Sequence, residues 1–195
     1  MDKEGSRLGT ATESHQITSM GFGIRAVVVT VSDACSRGER KDESGEALTQ
    51  LLKAIGAEIV EAIIVSDDLA PLTSTLREFA DRPEVNLIVT TGGTGLAPRD
   101  NTPEATLAVI EREAPGLAEA MRMETLKQTP MAMISRGVCG IRSGALIINL
   151  PGSPKGVRES FAVIKPVLSH AVALLAGRTE HQASRHGGAE SERKK

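Results

Sequence analysis

The chain has 195 residues, of which 40% are hydrophobic and 25% charged, and its formal net charge is −2. This length and composition are typical of one globular domain. The chain has no Trp, no Tyr and no excess of basic residues. These features argue against nucleic-acid partners, which are bound through aromatic stacking and phosphate contacts. No segment reaches 18 apolar residues, so we expect no membrane partner.

The chain carries no pattern typical of secretion or of a cysteine-based metal site. Its N-terminal residues lack the apolar stretch of a signal peptide. Cys35 and Cys139 are far apart and have no zinc or CxxC spacing, so we expect two reduced thiols. The sequence therefore predicts a cytoplasmic protein.

Composition divides the chain into a domain and two tails. Residues 1–23 and 177–195 are rich in Gly, Ser and charged residues and show no apolar periodicity. Such segments cannot bury enough apolar surface to offset the entropy of ordering, so we predict that both tails are disordered. Residues 24–176 are predicted to form one domain.

The first half of this domain is predicted to alternate strands with helices. Runs of β-branched residues indicate buried strands, and apolar residues three and four positions apart indicate helices. The predicted strands are Arg25–Val31, Glu58–Val65 and Leu87–Thr90. The helix between the first two ends at Gly56 and has one face formed by Leu48, Leu51, Leu52 and Ile55. The helix between the last two begins at Asp67 or Asp68 and has one face formed by Leu69, Leu72, Leu76 and Phe79.

The second half contains two helices whose starts are predicted from a capping residue followed by proline. The first of these two helices has Thr102 as its N-cap and Pro103 as its first residue. It is followed by a helix from Gly116 to Lys127, a short hairpin over Ile134–Ile141 and a strand over Ala145–Leu150. The last helix is capped by Ser153 and begins with Pro154, and Pro166 should kink or split it.

This alternation predicts an α/β fold, a three-layer, doubly wound, mostly parallel sheet with helices on both faces. Ligands of such sheets bind beyond the carboxyl ends of the strands. The loops that follow strands are therefore the candidate sites, and they span residues 32–44, 66–68, 91–102 and 151–155.

The third of these loops contains the sequence TGGTG at residues 91–95. Gly92, Gly93 and Gly95 allow the close backbone approach that lets successive amides hold a phosphate, and Thr94 adds a hydroxyl. A tight strand-to-helix turn would also favour glycine. The spacing is neither that of a dinucleotide-binding loop nor that of a P-loop. The loop therefore predicts phosphate binding, without a standard nucleotide motif.

Acidic residues lie close to this predicted anion site. Asp100 follows the glycines, and a carboxylate beside phosphates calls for a cation such as Mg²⁺. Asp100 could instead cap the next helix, although Thr102 is already predicted to do so. Asp33 or Asp42, in the first loop, could face Asp100 across the crevice. From the residues alone, a solvated loop with a helix cap at Asp42 or Ser44 is the favoured interpretation.

The loop after the last strand has the sequence PGSPK at residues 151–155. Gly152 permits close approach, and Ser153 together with the amides after Pro154 can hold an anion. Lys155 opposes the helix dipole and could serve an anionic ligand. A Pro-Gly turn with a serine cap explains the pattern equally well in isolation. We call the loops over residues 91–95 and 151–155 anion-ready, because their backbone N–H groups can hold an anion. Two such loops in one sheet favour a ligand that carries phosphate groups and contacts both.

Several motifs in the domain resemble the MogA/MoaB molybdenum-cofactor family, which includes a domain of animal gephyrin. The resemblance covers residues 24–176, with the motifs in the family's order. The residues that carry it are TVSD at 30–33, Asp42-x-Ser-Gly, TTGGTG with PRDxTPEAT at 90–106, Leu126-Lys127-x-Thr-Pro, Ile134-Ser135-Arg136, and INLPGSPK at 148–155.

The resemblance implies a molybdopterin adenylyltransferase, which joins the AMP part of ATP to the phosphate of molybdopterin and releases pyrophosphate. It also implies Mg²⁺, a homotrimer and a partner protein for molybdenum insertion. Asp42 and Asp100 would position Mg²⁺ and the triphosphate, Lys127 would neutralise phosphate charge, and Asp67 is similarly placed. The residues implied to bind substrate are Thr91, Gly92, Gly93, Thr94, Gly95, Ser135, Asn149, Pro151, Gly152, Ser153 and Pro154.

Two other functions remain open. One is a non-catalytic module that holds molybdopterin or a nucleotide for a partner protein. The other is a phosphotransferase of the same fold that acts on another substrate. The acidic residues near the predicted phosphate site favour the enzyme, because a protein that only binds phosphates gains little from nearby carboxylates.

Overall fold

The computed structural model of the chain describes residues 23–178. Except for Gly23, Gly177 and Arg178, the predicted tails over 1–23 and 177–195 lie outside the described residues. Among the described residues, none of the helices combines the length and apolar character needed to cross a lipid bilayer.

The described residues form strands and helices in alternation. The strands are β1 (Arg25–Val31), β2 (Glu58–Val65), β3 (Leu87–Thr91), β4 (Arg112–Glu113), β5 (Cys139–Arg142) and β6 (Ala145–Leu150). The helices are α1 (Asp33–Ser36), α2 (Glu43–Ala54), α3 (Leu69–Ala80), α4 (Thr102–Leu107), α5 (Pro115–Leu126) and α6 (Pro154–Leu175), with a 3-10 helix over Pro130–Ile134.

All six strands belong to one mixed sheet in the order β2-β1-β3-β6-β5-β4. The first four strands in this order are parallel to one another, whereas β5 and β4 add antiparallel pairs at one edge. The predicted α/β fold with a mostly parallel sheet is confirmed. The parallel core brings the carboxyl ends of β1, β3 and β6 to the same edge.

The sheet is covered by helices on both faces. In β1, Ala26 and Val28 pack into the core beneath α2, α5 and α6, whereas Val27 and Val29 pack into the core beneath α3 and α4. Because alternate strand residues point to opposite faces, a strand buried on both sides must be apolar throughout. The β-branched run of β1 therefore determines its central place.

The structure differs from three local predictions. Residue Asn101, not Thr102, occupies the N-cap position of α4. The hairpin predicted over Ile134–Ile141 is wrong, since the hairpin pairs β5 with β6 through residues 143–144 and its first strand begins at Cys139. Pro166 does not split the last helix, because α6 continues through it to Leu175.

Candidate functional site

Two of the predicted site loops, over residues 91–102 and 151–155, meet beside a cavity at the carboxyl edge of the sheet. The cavity has a volume of about 510 Å³ and lies between the glycine-rich loop, α5, the 3-10 helix and the start of α6. This size lies within the range of small-molecule sites. Of the predicted substrate-binding residues, those that line it are Gly93, Thr94, Gly95, Ser135, Asn149, Pro151, Gly152 and Ser153.

The glycine-rich loop is held against the loop that follows β6. Gly92 and Gly93 have φ angles of +103° and +61°, which glycine adopts without strain. A Cβ on Gly92 would lie 2.2 Å from the carbonyl oxygen of Val31, and a Cβ on Gly152 would lie 3.0 Å from the Cα of Gly92. Thr91 Oγ1 donates to the carbonyl of Pro151 at 2.8 Å. The two predicted anion loops are therefore neighbours.

Thr102 holds the glycine-rich loop in place through two hydrogen bonds. Its hydroxyl donates to the carbonyl of Gly92 at 2.8 Å, and its backbone N–H donates to the carbonyl of Gly93 at 3.1 Å. These bonds explain why the N-cap prediction for Thr102 was wrong. The side chain lies inside the first turn and holds the loop, while Asn101 at the cap position donates its side-chain amide to the carbonyl of Asp67.

Asp100 places a carboxylate at the wall of the cavity. Its Oδ2 accepts a hydrogen bond from the N–H of Ala97 at 2.8 Å, and a Cβ on Gly95 would lie 2.8 Å from the same oxygen. Within residues 23–178, Oδ1 of Asp100 has no hydrogen-bond partner. Asp100 therefore presents one carboxylate oxygen beside the predicted phosphate-binding loop.

Asp42 is occupied by contacts of its own helix start. It is the N-cap of α2, and its carboxylate accepts from Thr30 Oγ1 at 2.5 Å, from Gly45 N–H at 2.8 Å and from Ser44 Oγ at 3.1 Å. Its neighbours line a second, smaller depression of about 320 Å³ that also includes Gly152, Ser153 and Pro154. Asp42 therefore borders the depression rather than the main cavity.

Asp33 forms an acidic cluster with Asp67 behind the glycine loop. Each carboxylate accepts a hydrogen bond from the backbone N–H of the other residue, at 2.7 and 3.1 Å. Arg99 forms ion pairs with Asp33 at 2.7 Å and with Asp68 at 3.0 Å. The Arg99 hydrogen bonds hold the pKa of Asp33 below its usual value, whereas burial raises the pKa of Asp67. Asp33 thus faces Arg99 and not Asp100.

Lys127 lies away from the cavity lining in this structure. It occupies the C-cap position of α5, is 69% exposed and pairs with Glu124 at 2.6 Å. Its predicted role in neutralising phosphate charge stays a prediction.

Asn149 supports the site from inside the sheet. Its side chain is buried, donates to Thr90 Oγ1 at 3.1 Å and Thr106 Oγ1 at 2.9 Å, and accepts from the N–H of Val138 at 3.1 Å. Because these bonds tie β3, α4, β6 and the segment before β5 together, Asn149 holds the floor of the cavity. Ser135 lies on the adjoining wall.

Arg136 has a structural role that the sequence analysis did not assign. Its Nε donates to the carbonyl of Gly95 at 2.6 Å, Nη2 donates to the carbonyl of Asp100, and Nη1 pairs with the carboxylate of Glu104. Its backbone N–H donates to the carbonyl of Thr94 at 2.9 Å. One guanidinium therefore fixes both ends of the loop that carries Asp100.

Two charged side chains of the cavity wall were also missed. Arg122 on α5 and Glu159 on α6 both line the cavity. Each lies beside apolar core residues at helical spacing, so a single sequence offers no signal that separates it from an ordinary surface charge. Only the packing of α5 beside α6 brings them together.

A magnesium ion at this site would need ligands from the substrate as well as from the protein. Among the described residues, no group of three or more His, Cys, Asp or Glu side chains could hold a metal ion by itself. Mg²⁺ is commonly held by one or two carboxylates together with substrate phosphates. The free oxygen of Asp100 beside a phosphate-ready loop fits that mode of binding.

The two cysteines are free and buried, as expected of reduced thiols. Burial raises the pKa of the Cys139 thiol to about 12, so the reactive thiolate is scarce at neutral pH. We expect Cys139 to resist iodoacetamide in the native protein at pH 8 and to react after unfolding in urea. Peptide mass spectrometry measures both states, and rapid native labelling of Cys139 would contradict its burial.

Comparisons with known proteins identify the family of the chain. A family model described as "Probable molybdopterin binding domain" matches residues 27–170. The molybdopterin adenylyltransferase of Helicobacter pylori (strain ATCC 700392 / 26695) is 41% identical over 152 residues, which cover 77% of this chain and 86% of that protein. The Escherichia coli K12 protein of the same name is 42% identical over 144 residues, covering 73% of this chain and 74% of that protein.

Longer proteins and solved structures are also similar. The molybdenum cofactor synthesis protein cinnamon of Drosophila melanogaster is 46% identical over 158 residues, and the match spans 80% of this chain but only 26% of cinnamon. The crystal structure of the molybdopterin biosynthesis enzyme MoaB of Thermus thermophilus is 50% identical, with a TM-score of 0.75 and coverage of 80% of this chain and 98% of that chain.

Proposed function

The chain belongs to the molybdopterin-binding domain family, and from this membership we propose that it is a molybdopterin adenylyltransferase. ATP and molybdopterin are its substrates, and adenylyl-molybdopterin and pyrophosphate are its products. The Helicobacter pylori and Escherichia coli relatives are both named molybdopterin adenylyltransferase, and the similarity to this chain covers most of their length. Its place in the cell's chemistry is therefore molybdenum cofactor biosynthesis.

The observation that supports the proposal most strongly is the convergence of two anion-ready loops on one cavity. The backbone of residues 93–95 and the start of α6 offer N–H groups to phosphate oxygens, because helix starts and glycine turns carry partial positive charge. The N–H of Gly92 donates instead to the carbonyl of Leu150 at 3.2 Å. Asp100 lies beside the two loops, and among the described residues one of its oxygens has no hydrogen-bond partner. A substrate with several phosphates and a neutralising cation fits this arrangement.

The reaction requires positioning more than covalent chemistry from the protein. An oxygen of the molybdopterin phosphate attacks the α-phosphorus of ATP, the new P–O bond forms, and the bond to the β-phosphate breaks with release of pyrophosphate. The loop amides and the start of α6 hold the phosphates in line, which lowers the entropic part of the barrier. No side-chain nucleophile is needed.

We assign Mg²⁺ to Asp100, and Asp42 to the neighbouring depression. When bound, the ion would neutralise charge on the triphosphate. Asp100 has the free oxygen for a direct contact, whereas the Asp42 carboxylate already accepts three hydrogen bonds and would act by fixing the start of α2. Lys127 would contribute only after its pair with Glu124 opens.

Purified protein tests the proposal directly. We expect pyrophosphate release from ATP and Mg²⁺ only when molybdopterin is added, and none when the magnesium is removed with EDTA. Binding of molybdopterin without pyrophosphate release would instead identify a non-catalytic binding module. Pyrophosphate release with another acceptor, but not with molybdopterin, would identify a different phosphotransferase.

We also propose that the chain assembles as a homotrimer and passes its product to a molybdenum-insertion partner. An apolar surface of α5 and the 3-10 helix supports self-association, since Met123, Met131 and Met133 are 69%, 61% and 68% exposed. Sedimentation equilibrium of the full chain should give three times the monomer mass, and a monomer at micromolar concentration would contradict the assembly.

A further inference from the structure

We infer that Glu159 recognises the amino edge of the pterin ring and so determines which heterocycle the cavity accepts. The inference rests on the proposed function, because it names the part of molybdopterin that this wall of the cavity would hold. It concerns binding selectivity and not the adenylyl transfer itself.

Glu159 lines the cavity, and its carboxylate has few partners in the protein. Its side chain is only 16% exposed, and within residues 23–178 its one charged partner is Lys155 Nζ at 3.7 Å. Lys155 is 78% exposed, so this pair is a weak, solvent-screened contact. Among the described residues no buried side-chain oxygen lacks a hydrogen-bond partner, so the Glu159 oxygens are open to water in the cavity, and donors from a ligand can replace that water.

The chemistry of a pterin matches this need. Its amino group and the adjacent ring N–H point in the same direction and donate to the two oxygens of one carboxylate. The cavity wall also carries the apolar side chains of Ala118, Met121 and Ala132, which suit the flat faces of a bicyclic ring. Hydrogen bonds to a charged acceptor in such a site are strong and directional.

The position of Glu159 along α6 also agrees with the shape of molybdopterin. It lies six residues after Ser153, which places it about 9 Å along the helix axis from the anion-ready helix start. Molybdopterin carries its phosphate at one end and its pterin amino edge at the other. A phosphate held at the loops would therefore leave the amino edge within reach of Glu159.

The test compares pterin with lumazine, in which an oxygen replaces the amino group. The wild-type full chain should bind pterin more tightly than lumazine. Pterin fluorescence measures this binding, because the protein has no Trp or Tyr. Glu159→Gln should weaken pterin binding about 10- to 100-fold, the range expected for hydrogen bonds to a charged group. It should also remove the preference over lumazine. In the adenylylation assay, KM for molybdopterin should rise while kcat and KM for ATP stay unchanged.

Glu78→Gln is the matched control, since Glu78 lies on α3, on the other face of the sheet, and pairs with Arg82 just after that helix. It should keep wild-type selectivity. Equal binding of pterin and lumazine by the wild type, no binding of pterin, or an unchanged preference in Glu159→Gln would overturn the inference. A wild type that prefers pterin yet releases no pyrophosphate would leave the inference standing and contradict the proposed function.

Discussion

Replacement of Asp100 by Asn should lower kcat/KM for adenylylation about 100- to 1,000-fold, the loss typical when a group that stabilises transition-state charge is removed. Among the described residues, Asp100 lines the cavity and has one oxygen without a hydrogen bond, so it is the best-placed negative ligand for a cation on the triphosphate. Asparagine keeps the shape and an oxygen but has no charge. Initial rates at saturating molybdopterin and varied magnesium measure the effect.

The fold should survive this change. An asparagine oxygen can still accept the hydrogen bond from the N–H of Ala97, which is the one hydrogen bond of the Asp100 side chain within residues 23–178. Urea unfolding followed by circular dichroism should therefore give a free energy of unfolding within about 0.5 kcal/mol of wild type. Asp68→Asn is the control, because Asp68 lies at the same edge but pairs with Arg99. Wild-type turnover by Asp100→Asn would refute its role at the metal.

Replacement of Arg136 by Gln should reduce kcat/KM about 100-fold, the cost of misplacing reacting groups by about 1 Å. The guanidinium bonds the carbonyl oxygens of Gly95 and Asp100 and pairs with Glu104. Without these bonds, the segment between residues 95 and 100 loses its fixed geometry. Lysine offers a point charge instead of a planar fork, so Arg136→Lys should restore only part of the activity.

Arg142 provides a control with the same kind of contacts outside the site. It bonds both oxygens of Asp81 at 2.8 and 2.9 Å and the carbonyl of Val109 at 3.1 Å. Arg142→Gln should therefore lower stability and leave the kinetic constants unchanged. The kinetic profile of Arg136→Gln is also diagnostic, since kcat should fall at saturating substrates. Equal kinetic effects of the two variants would show that Arg136 acts only through stability.

The parallel core could be predicted from the sequence because its signals are local and unambiguous. The β-branched runs of β1 and β6 have no competing interpretation, and Gly56 ends α2 in the conformation with positive φ that glycine favours. The segment from 130 to 138 was harder. Met131 and Met133 in this segment are exposed, and one face of the segment lines the cavity. Its apolar residues therefore do not mark buried positions, and the hairpin predicted from them is wrong.

The candidate site could be predicted where the backbone itself makes the site. The glycine loop and the Pro-Gly-Ser loop have their own sequence signatures. Side chains that act across the fold have none, since Arg136 reaches Gly95 over 41 positions and Glu159 meets α5 only through helix packing. The capping error at Thr102 has the same origin, because its hydroxyl serves a residue ten positions earlier.

The most direct test of the account follows the α-phosphate of ATP. The purified full chain is incubated with molybdopterin, Mg²⁺ and ATP labelled either at the α- or at the γ-phosphate, and the pterin fraction is isolated. We predict that label from the α-phosphate appears on the pterin in equal amount to released pyrophosphate, and that label from the γ-phosphate appears only in pyrophosphate. Label from the γ-phosphate on the pterin, or no label on it at all, would contradict adenylylation.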